Sequence, residues 1–375
     1  MPRYIRAPMP STLRFFREYF RPDPLGVVAE ETTYERKGEV LPATVFRPAR
    51  RPGSFPGWVV LHGLTYTGRE HPALIRFVRA LAAAGNVVLV PDIPEWRALR
   101  VAPAVTVDTI RAALAALQSR SDIEHEHACL FGFSFGATQA LVASVDPAVR
   151  QQLHGIAAWG GYSNVHRLFL FGLLGDYDLD GQRFNMQPDP YGCWIMAGNY
   201  LPHVPGFEDC GDVARAVHSL ATLAGRQRVF AWDPVFDPDK RRLRESLEPA
   251  HRELFDMLAP LTGMPGPDPS VGAPLSNQLA DAAVRVDPLF DPTPFLARVD
   301  LPVLLAHGRH DRLIPYTETI RLARALPAPS VDSLTITALF EHSGGAAAGL
   351  GPLGKLREAA RFVDVLRRVV SLPVR

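Results

Sequence analysis

The pentapeptide Gly132-Phe133-Ser134-Phe135-Gly136 lies between an apolar run at residues 128–133 and a helix-forming stretch at about 136–144. A Gly-x-Ser-x-Gly match alone is common by chance. At a strand-to-helix junction it is much more restrictive. The tight turn forces the serine into a strained backbone conformation and exposes its hydroxyl above a sheet edge. Side chains at the two glycine positions would collide with the neighbouring strand and helix. The helix that starts there also directs its positive end at any charge developing beside the serine.

The surrounding pattern supports a parallel sheet with crossover helices. Strands are predicted at 57–61, 86–90, 128–133, 156–159, 303–306 and 333–339. Helices are predicted at 72–84, 107–118, 136–144, 317–326 and 355–370. Residues 27–34 and 41–46 read as an antiparallel pair turning at Lys37-Gly38. Short apolar runs of this kind suit strands buried on both faces. From 162 to 294 the alternation stops. Helical stretches at 212–224 and 240–261 alternate there with aromatic- and proline-rich pieces at 188–194 and 288–294. The expected class is α/β: a mostly parallel central sheet flanked by helices, with an inserted, mainly helical cap. The expected divisions are an amphipathic segment at 1–25, a core of 26–162 and 295–375, and a cap insertion at 163–294. In the first of these, residues 12–20 carry Leu13, Phe16 and Phe20 opposite Arg14 and Arg17. Such a helix either docks on its own fold or, less often, touches a membrane surface through residues 12–21.

Composition narrows the classes of partner. The 375 residues carry a net charge of +1, and their arginines are scattered, so no nucleic-acid or polyanion partner is expected. The three cysteines form neither a disulfide framework nor a CxxC pair. Cys129 reads as a buried small hydrophobe, whereas pairing of Cys193 with Cys210 is left open. No apolar run approaches the roughly 20 residues of a membrane span, and residues 1–10 lack a signal-peptide core. A cytoplasmic location is expected.

Three more elements stand at strand ends. His62-Gly63 closes the strand at 57–61. The loop after it is expected to supply one backbone donor for an oxyanion, from Leu64, while Phe135 supplies the other. The side chain of His62 reads as a turn histidine. Asp311, in Gly308-Arg309-His310-Asp311, is placed to orient a histidine; Asp287 and Asp291 compete but precede the strand. His342, in Phe340-Glu341-His342-Ser343-Gly344-Gly345, follows the last strand and is the expected base, with His307 and His310 as rivals. The order Ser, Asp, His, each at a strand's carboxyl end, separates this scaffold from other serine hydrolases. Tyr66, Phe133, Trp194 and Trp232 are candidate substrate contacts. The aromatics Trp194, Tyr200 and Trp232 either line a chamber or form the cap's own core.

On these motifs the chain resembles the α/β-hydrolase superfamily over 27–162 and 301–370. The resemblance implies Ser134 as nucleophile, Asp311 as acid, His342 as base, and Leu64 with Phe135 as the oxyanion hole. It implies no metal and no organic cofactor. The loop His62-Gly63-Leu64-Thr65-Tyr66 lacks the HGGG form, which argues against the hormone-sensitive-lipase branch. A serine at 134 argues against haloalkane dehalogenases and epoxide hydrolases, which place an aspartate there. The implied activity is carboxylesterase-like cleavage of a small, apolar ester. A peptidase, amidase or acyltransferase would use the same triad, and a binding protein that merely retains the fold is the alternative of a different class.

Overall fold

The computed structural model describes residues 9–21, 26–49, 53–227, 229–339 and 352–374. An eight-stranded sheet is built from β1 (Val27–Arg36), β2 (Glu39–Pro48), β3 (Phe55–Leu61), β4 (Val87–Pro91), β5 (Ile123–Phe133), β6 (Gly155–Trp159), β9 (Val303–Gly308) and β10 (Val331–Thr337). Their spatial order is β1-β2-β4-β3-β5-β6-β9-β10, and β2 alone runs against the rest. That order, with its single reversed strand, is the α/β-hydrolase fold. Strands β3, β4 and β6 are apolar throughout or nearly so and buried at almost every position, because helices cover both faces of the sheet. The β1–β2 turn is closed by Lys37 and Gly38, whose φ of 52° and 82° suit the twist of a two-residue hairpin.

One face packs α3 (Thr106–Gln118) and α4 (Phe135–Ala143). The other packs α1 (Met9–Tyr19), α2 (Pro72–Ala83) and α12 (Pro352–Ser371) around Phe77, Phe131, Trp58 and Trp159. Helix α1 docks through buried Phe15, which meets Phe77 edge to face at 5.6 Å, while Leu13 and Phe20 remain exposed. Among the described residues no helix is long and apolar enough to cross a membrane.

Between β6 and β9 the described residues add no strand to this sheet. It forms α5 (Val165–Leu174), α6 (Pro190–Tyr200), α7 (Gly211–Gln227), α8 (Asp237–Glu245), α9 (Arg252–Leu258) and α10 (Pro269–Val286), and α11 (Tyr316–Ala325) follows β9. Several details differ from the sequence expectation. The stretch 240–261 is not one helix, because Pro249 separates α8 from α9 with a short 3-10 turn. Residues 190–200 are helical despite a proline and several aromatics, since Asp189 caps the helix and Pro190 takes its first turn, where no N–H is needed. A hairpin of β7 (Asp176–Leu179) and β8 (Gln182–Asn185) joins the helices, turning at Asp180-Gly181 with φ of 52° and 81°. The last strand ends at Thr337, not at 339. Cys129, Cys193 and Cys210 are all free and buried, so Cys193 and Cys210 do not pair.

Buried Glu318 of α11 ties the start of this insertion to the core. It accepts from Ser163 N and Oγ at 2.9 and 2.6 Å and from Arg167 Nε at 2.7 Å. The amide of Asp189 donates to the Arg312 carbonyl at 2.8 Å, a second tie beside Asp311.

Candidate active site

Ser134 leaves β5 with φ 55° and ψ −124°, a conformation that side-chain-bearing residues rarely adopt and that costs about 1–3 kcal/mol. Its amide still donates to the Trp159 carbonyl of β6 at 2.8 Å, so the sheet holds the strained residue in place. The flanking glycines are sterically required. A Cβ on Gly132 would lie 2.7 Å from Ala137 Cα, and one on Gly136 would lie 2.6 Å from the His62 carbonyl oxygen. Helix α4 starts at Phe135, so the Phe135 amide belongs to the first turn, where no intrahelical acceptor exists.

The loop after β3 passes directly beside the elbow. A Cβ on Gly63 would stand 3.1 Å from Ser134 Cβ and 3.6 Å from its Oγ. Leu64, the next residue, lines the same cavity as Ser134 and Phe135. Its carbonyl accepts from Tyr191 Oη at 3.4 Å, so that face of the peptide is turned to α6. His62 is buried, and its Nδ1 lies 2.7 Å from the Gly63 carbonyl. Its ring meets the Trp96 ring edge to face at 5.7 Å. Burial lowers its pKa to about 4, leaving a neutral ring whose Nδ1–H donates to that carbonyl. His62 therefore braces the loop, as expected from sequence.

Asp311 is buried in the turn after β9. Its Oδ1 accepts from the amides of Leu313 and Ile314 at 2.9 and 3.0 Å, and its Oδ2 lies 3.4 Å from His307 Nε2. The rival groups are engaged elsewhere or exposed. His307 is buried, with Nε2 on the Ile314 carbonyl at 2.9 Å and Nδ1 on Thr319 Oγ1 at 2.5 Å. His310 is exposed. Asp287 Oδ2 accepts from Tyr200 Oη at 2.9 Å, and Asp291 Oδ1 from Thr293 Oγ1 at 2.9 Å. His342, the expected base, lies outside the described residues.

Ser134 opens into a narrow cavity between the sheet edge and the insertion, with about 700 Å³ of space counting its mouth. Its walls come from Leu64, Phe135 and Tyr162 of the core, from Leu168, Phe169, Gly172 and Leu173 of α5, and from Tyr191, Gly192, Cys193, Ile195 and Met196 of α6, closed by Leu279, Leu313 and Ile314. None of these carries a charge. Burial pushes the Cys193 thiol up to about 12 and raises the Tyr191 phenol, so both stay protonated and neutral at ordinary pH.

Four expected substrate contacts do not line this cavity. Phe133 points to the opposite face and packs on Phe77, Phe131 and Trp159. Trp194 is fully buried, with Nε1 donating to the Leu258 carbonyl at 3.0 Å, so it belongs to the insertion's own core. Trp232 stacks on Phe230 at 4.5 Å beneath the Arg312 guanidinium, and Tyr66 lies under Arg226 at 4.8 Å. Sequence reasoning missed Tyr191, Leu313 and the α5 wall. Asp189-Pro190, a helix-start signal, would have found α6 and with it Tyr191.

No family model and no curated protein matches the chain. Among solved structures, the acylaminoacyl peptidase of Pyrococcus horikoshii aligns with 92% of this chain at 11% identity and a TM-score of 0.48. The chain spans only 41% of that protein's length. Brefeldin A esterase, described as a bacterial homologue of human hormone sensitive lipase, aligns with 99% of this chain and 87% of its own at 17% identity and TM-score 0.47. Est1E from Butyrivibrio proteoclasticus aligns with 90% of this chain and 99% of its own at 14% identity and TM-score 0.47. The class that the strand order and the elbow define is a protein of α/β-hydrolase fold.

Proposed function

We propose that the protein is a serine hydrolase that cleaves small, uncharged carboxylic esters through an acyl-enzyme. The observation that carries this reading is the Ser134 elbow: a serine held at φ 55° between two sterically required glycines, on the wall of an apolar cavity. In the proposed mechanism His342 removes the Ser134 proton as Oγ adds to the ester carbonyl. The amides of Leu64 and Phe135 donate to the oxyanion, aided by the positive end of α4. His342 then passes its proton to the departing alkoxide, which leaves as an alcohol. Water, deprotonated by the same histidine, releases the acid and restores the serine. Asp311 accepts from the second nitrogen of His342 and fixes its tautomer. Two backbone amides on Oδ1 support that role, because they lock the carboxylate's orientation.

Residues 163–294 act in this reading as a cap on a core of 26–162 and 295–375, and its helices α5 and α6 supply the wall opposite the elbow. Uncharged walls support an apolar substrate, since an ionic group there would lose its hydration without a partner. The test is a panel of aryl and alkyl esters beside matched aminoacyl amides. Cleavage of the esters with little turnover of the amides is expected. Preference for the amides would reassign the protein as an amidase or peptidase, and turnover of neither would favour a binding role.

A further inference from the structure

After proline, glycine is the poorest helix former, so a glycine inside a helix calls for a reason. In the helices of the insertion, Gly198, Gly225 and Gly272 have one. A Cβ on Gly198 of α6 would lie 2.9 Å from His218 Cβ, one on Gly225 of α7 would lie 3.0 Å from Tyr66 Cβ, and one on Gly272 of α10 would lie 2.7 Å from Leu174 Cδ2. Close packing accounts for these three.

Gly172 of α5 and Gly192 of α6 have no such reason. A Cβ on Gly172 would meet only Cys193 N, at 4.0 Å, and a Cβ on Gly192 only Leu313 Cδ2, at 3.5 Å. Both are ordinary van der Waals distances. Neither residue has a positive φ. Alanine would fit at either position and would favour the helix. What sets these two apart is where they stand: both line the cavity that holds Ser134, and a Cβ on Gly172 would face the peptide that joins Gly192 to Cys193. Gly172 therefore faces the backbone of α6, whereas Gly192 faces Leu313 across the cavity, with Phe169, Ile195 and Met196 on the same apolar walls.

We propose that Gly172 and Gly192 keep open a slot of the cavity bounded by α5, α6 and Leu313 that receives the uncharged alkyl or aryl tail of the substrate, which makes these two positions the determinants of tail length. The proposal rests on the serine-esterase reading for the chemistry at the mouth of the slot, but not for the slot itself. In a narrow apolar channel each added methyl removes space that a methylene of the substrate would fill. A single methylene in such a pocket changes discrimination by roughly 10- to 200-fold.

The test uses the full chain with Gly172→Ala, Gly192→Ala, the double variant and Gly172→Leu, each first checked by its melting temperature. For p-nitrophenyl esters from acetate to decanoate, the ratio of long-chain to short-chain kcat/KM is expected to fall about tenfold in the alanine variants and further in the leucine variant. The melting temperature of the alanine variants is expected to hold or rise. A ratio unchanged in folded variants, or an equal loss at every chain length, would overturn the proposal. Binding of straight-chain alcohols of graded length to the same variants in a Ser134→Ala background separates this from failure of the esterase reading. If no ester is cleaved while the variants still weaken the longer alcohols selectively, the chemistry is wrong and the slot stands. If alcohol binding is also indifferent to the variants, the slot falls.

Discussion

Gly63 and Ser134 are packed so closely that a methyl group on the first would stand 3.1 Å from the Cβ of the second. The loop after β3 and the elbow after β5 are thereby one unit, and Gly136, whose added Cβ would reach the His62 carbonyl oxygen at 2.6 Å, closes it from the other side. Gly136→Ala must displace backbone on one side or the other. A loss of about 1–3 kcal/mol of stability is expected, with turnover falling more than stability explains, because the Leu64 and Phe135 amides move with their loops. Melting temperature and kcat measured together check this; an alanine variant with unaltered values of both would show that the two loops are not coupled.

Ser134 should be a residue that weakens the fold it serves. Replacing it with glycine removes both the nucleophile and the steric objection to φ 55°. Ser134→Gly is expected to abolish ester turnover while gaining about 1 kcal/mol in denaturant unfolding. A variant less stable than the parent would mean that the elbow is not strained.

Asp311→Asn keeps an oxygen for the Leu313 and Ile314 amides, so the turn should survive. Turnover is expected to drop about 10⁴-fold, because the amide stabilises the wrong imidazole tautomer. Asp287→Asn and Asp291→Asn should have small effects, their carboxylates being engaged by Tyr200 and Thr293. Steady-state kinetics on the three variants decides between them. A severe loss in either of the latter two, with Asp311→Asn spared, would move the acid.

Acid sensitivity should come in part from His62. Burial lowers its folded pKa to about 4, against 6.5 for an ordinary histidine. The unfolded chain therefore binds this proton more readily than the folded one, and stability is lost as pH falls from about 6.5 to about 4. The contribution of this group amounts to about 3 kcal/mol at most. His62→Asn retains a donor for the Gly63 carbonyl and cannot titrate. Urea unfolding from pH 4 to 7 should show a shallower pH slope in that variant than in the parent, and equal slopes would remove His62 from the account.

The core was legible because its signals reinforce one another. The buried strand β5, the glycine-flanked serine and the helix behind it follow from one stretch of sequence. The Lys37-Gly38 turn and the strand ends at His62 and Asp311 were equally readable, since each pairs an apolar run with a turn signal. The insertion was harder. In α10, Pro269 and Pro274 look like breakers, yet Pro269 occupies the first turn behind the Asp268 cap and Pro274 lies within the helix. The Asp180-Gly181 hairpin was missed although that dipeptide favours such turns. Aromatic residues mislead most. Trp194 and Tyr191 are three positions apart on α6, but one is buried behind the wall and the other is part of it, and residue type does not reveal which face of a helix meets the cavity.

The central claim is that Ser134 is an activated nucleophile, and the most direct measurement is labelling of the native protein with an alkyl fluorophosphonate followed by peptide mass analysis. Stoichiometric modification of Ser134 is expected, lost on heat unfolding and strongly slowed in His342→Ala. Native protein that stays unmodified at Ser134, or that is labelled there no faster than the unfolded chain, would contradict the account.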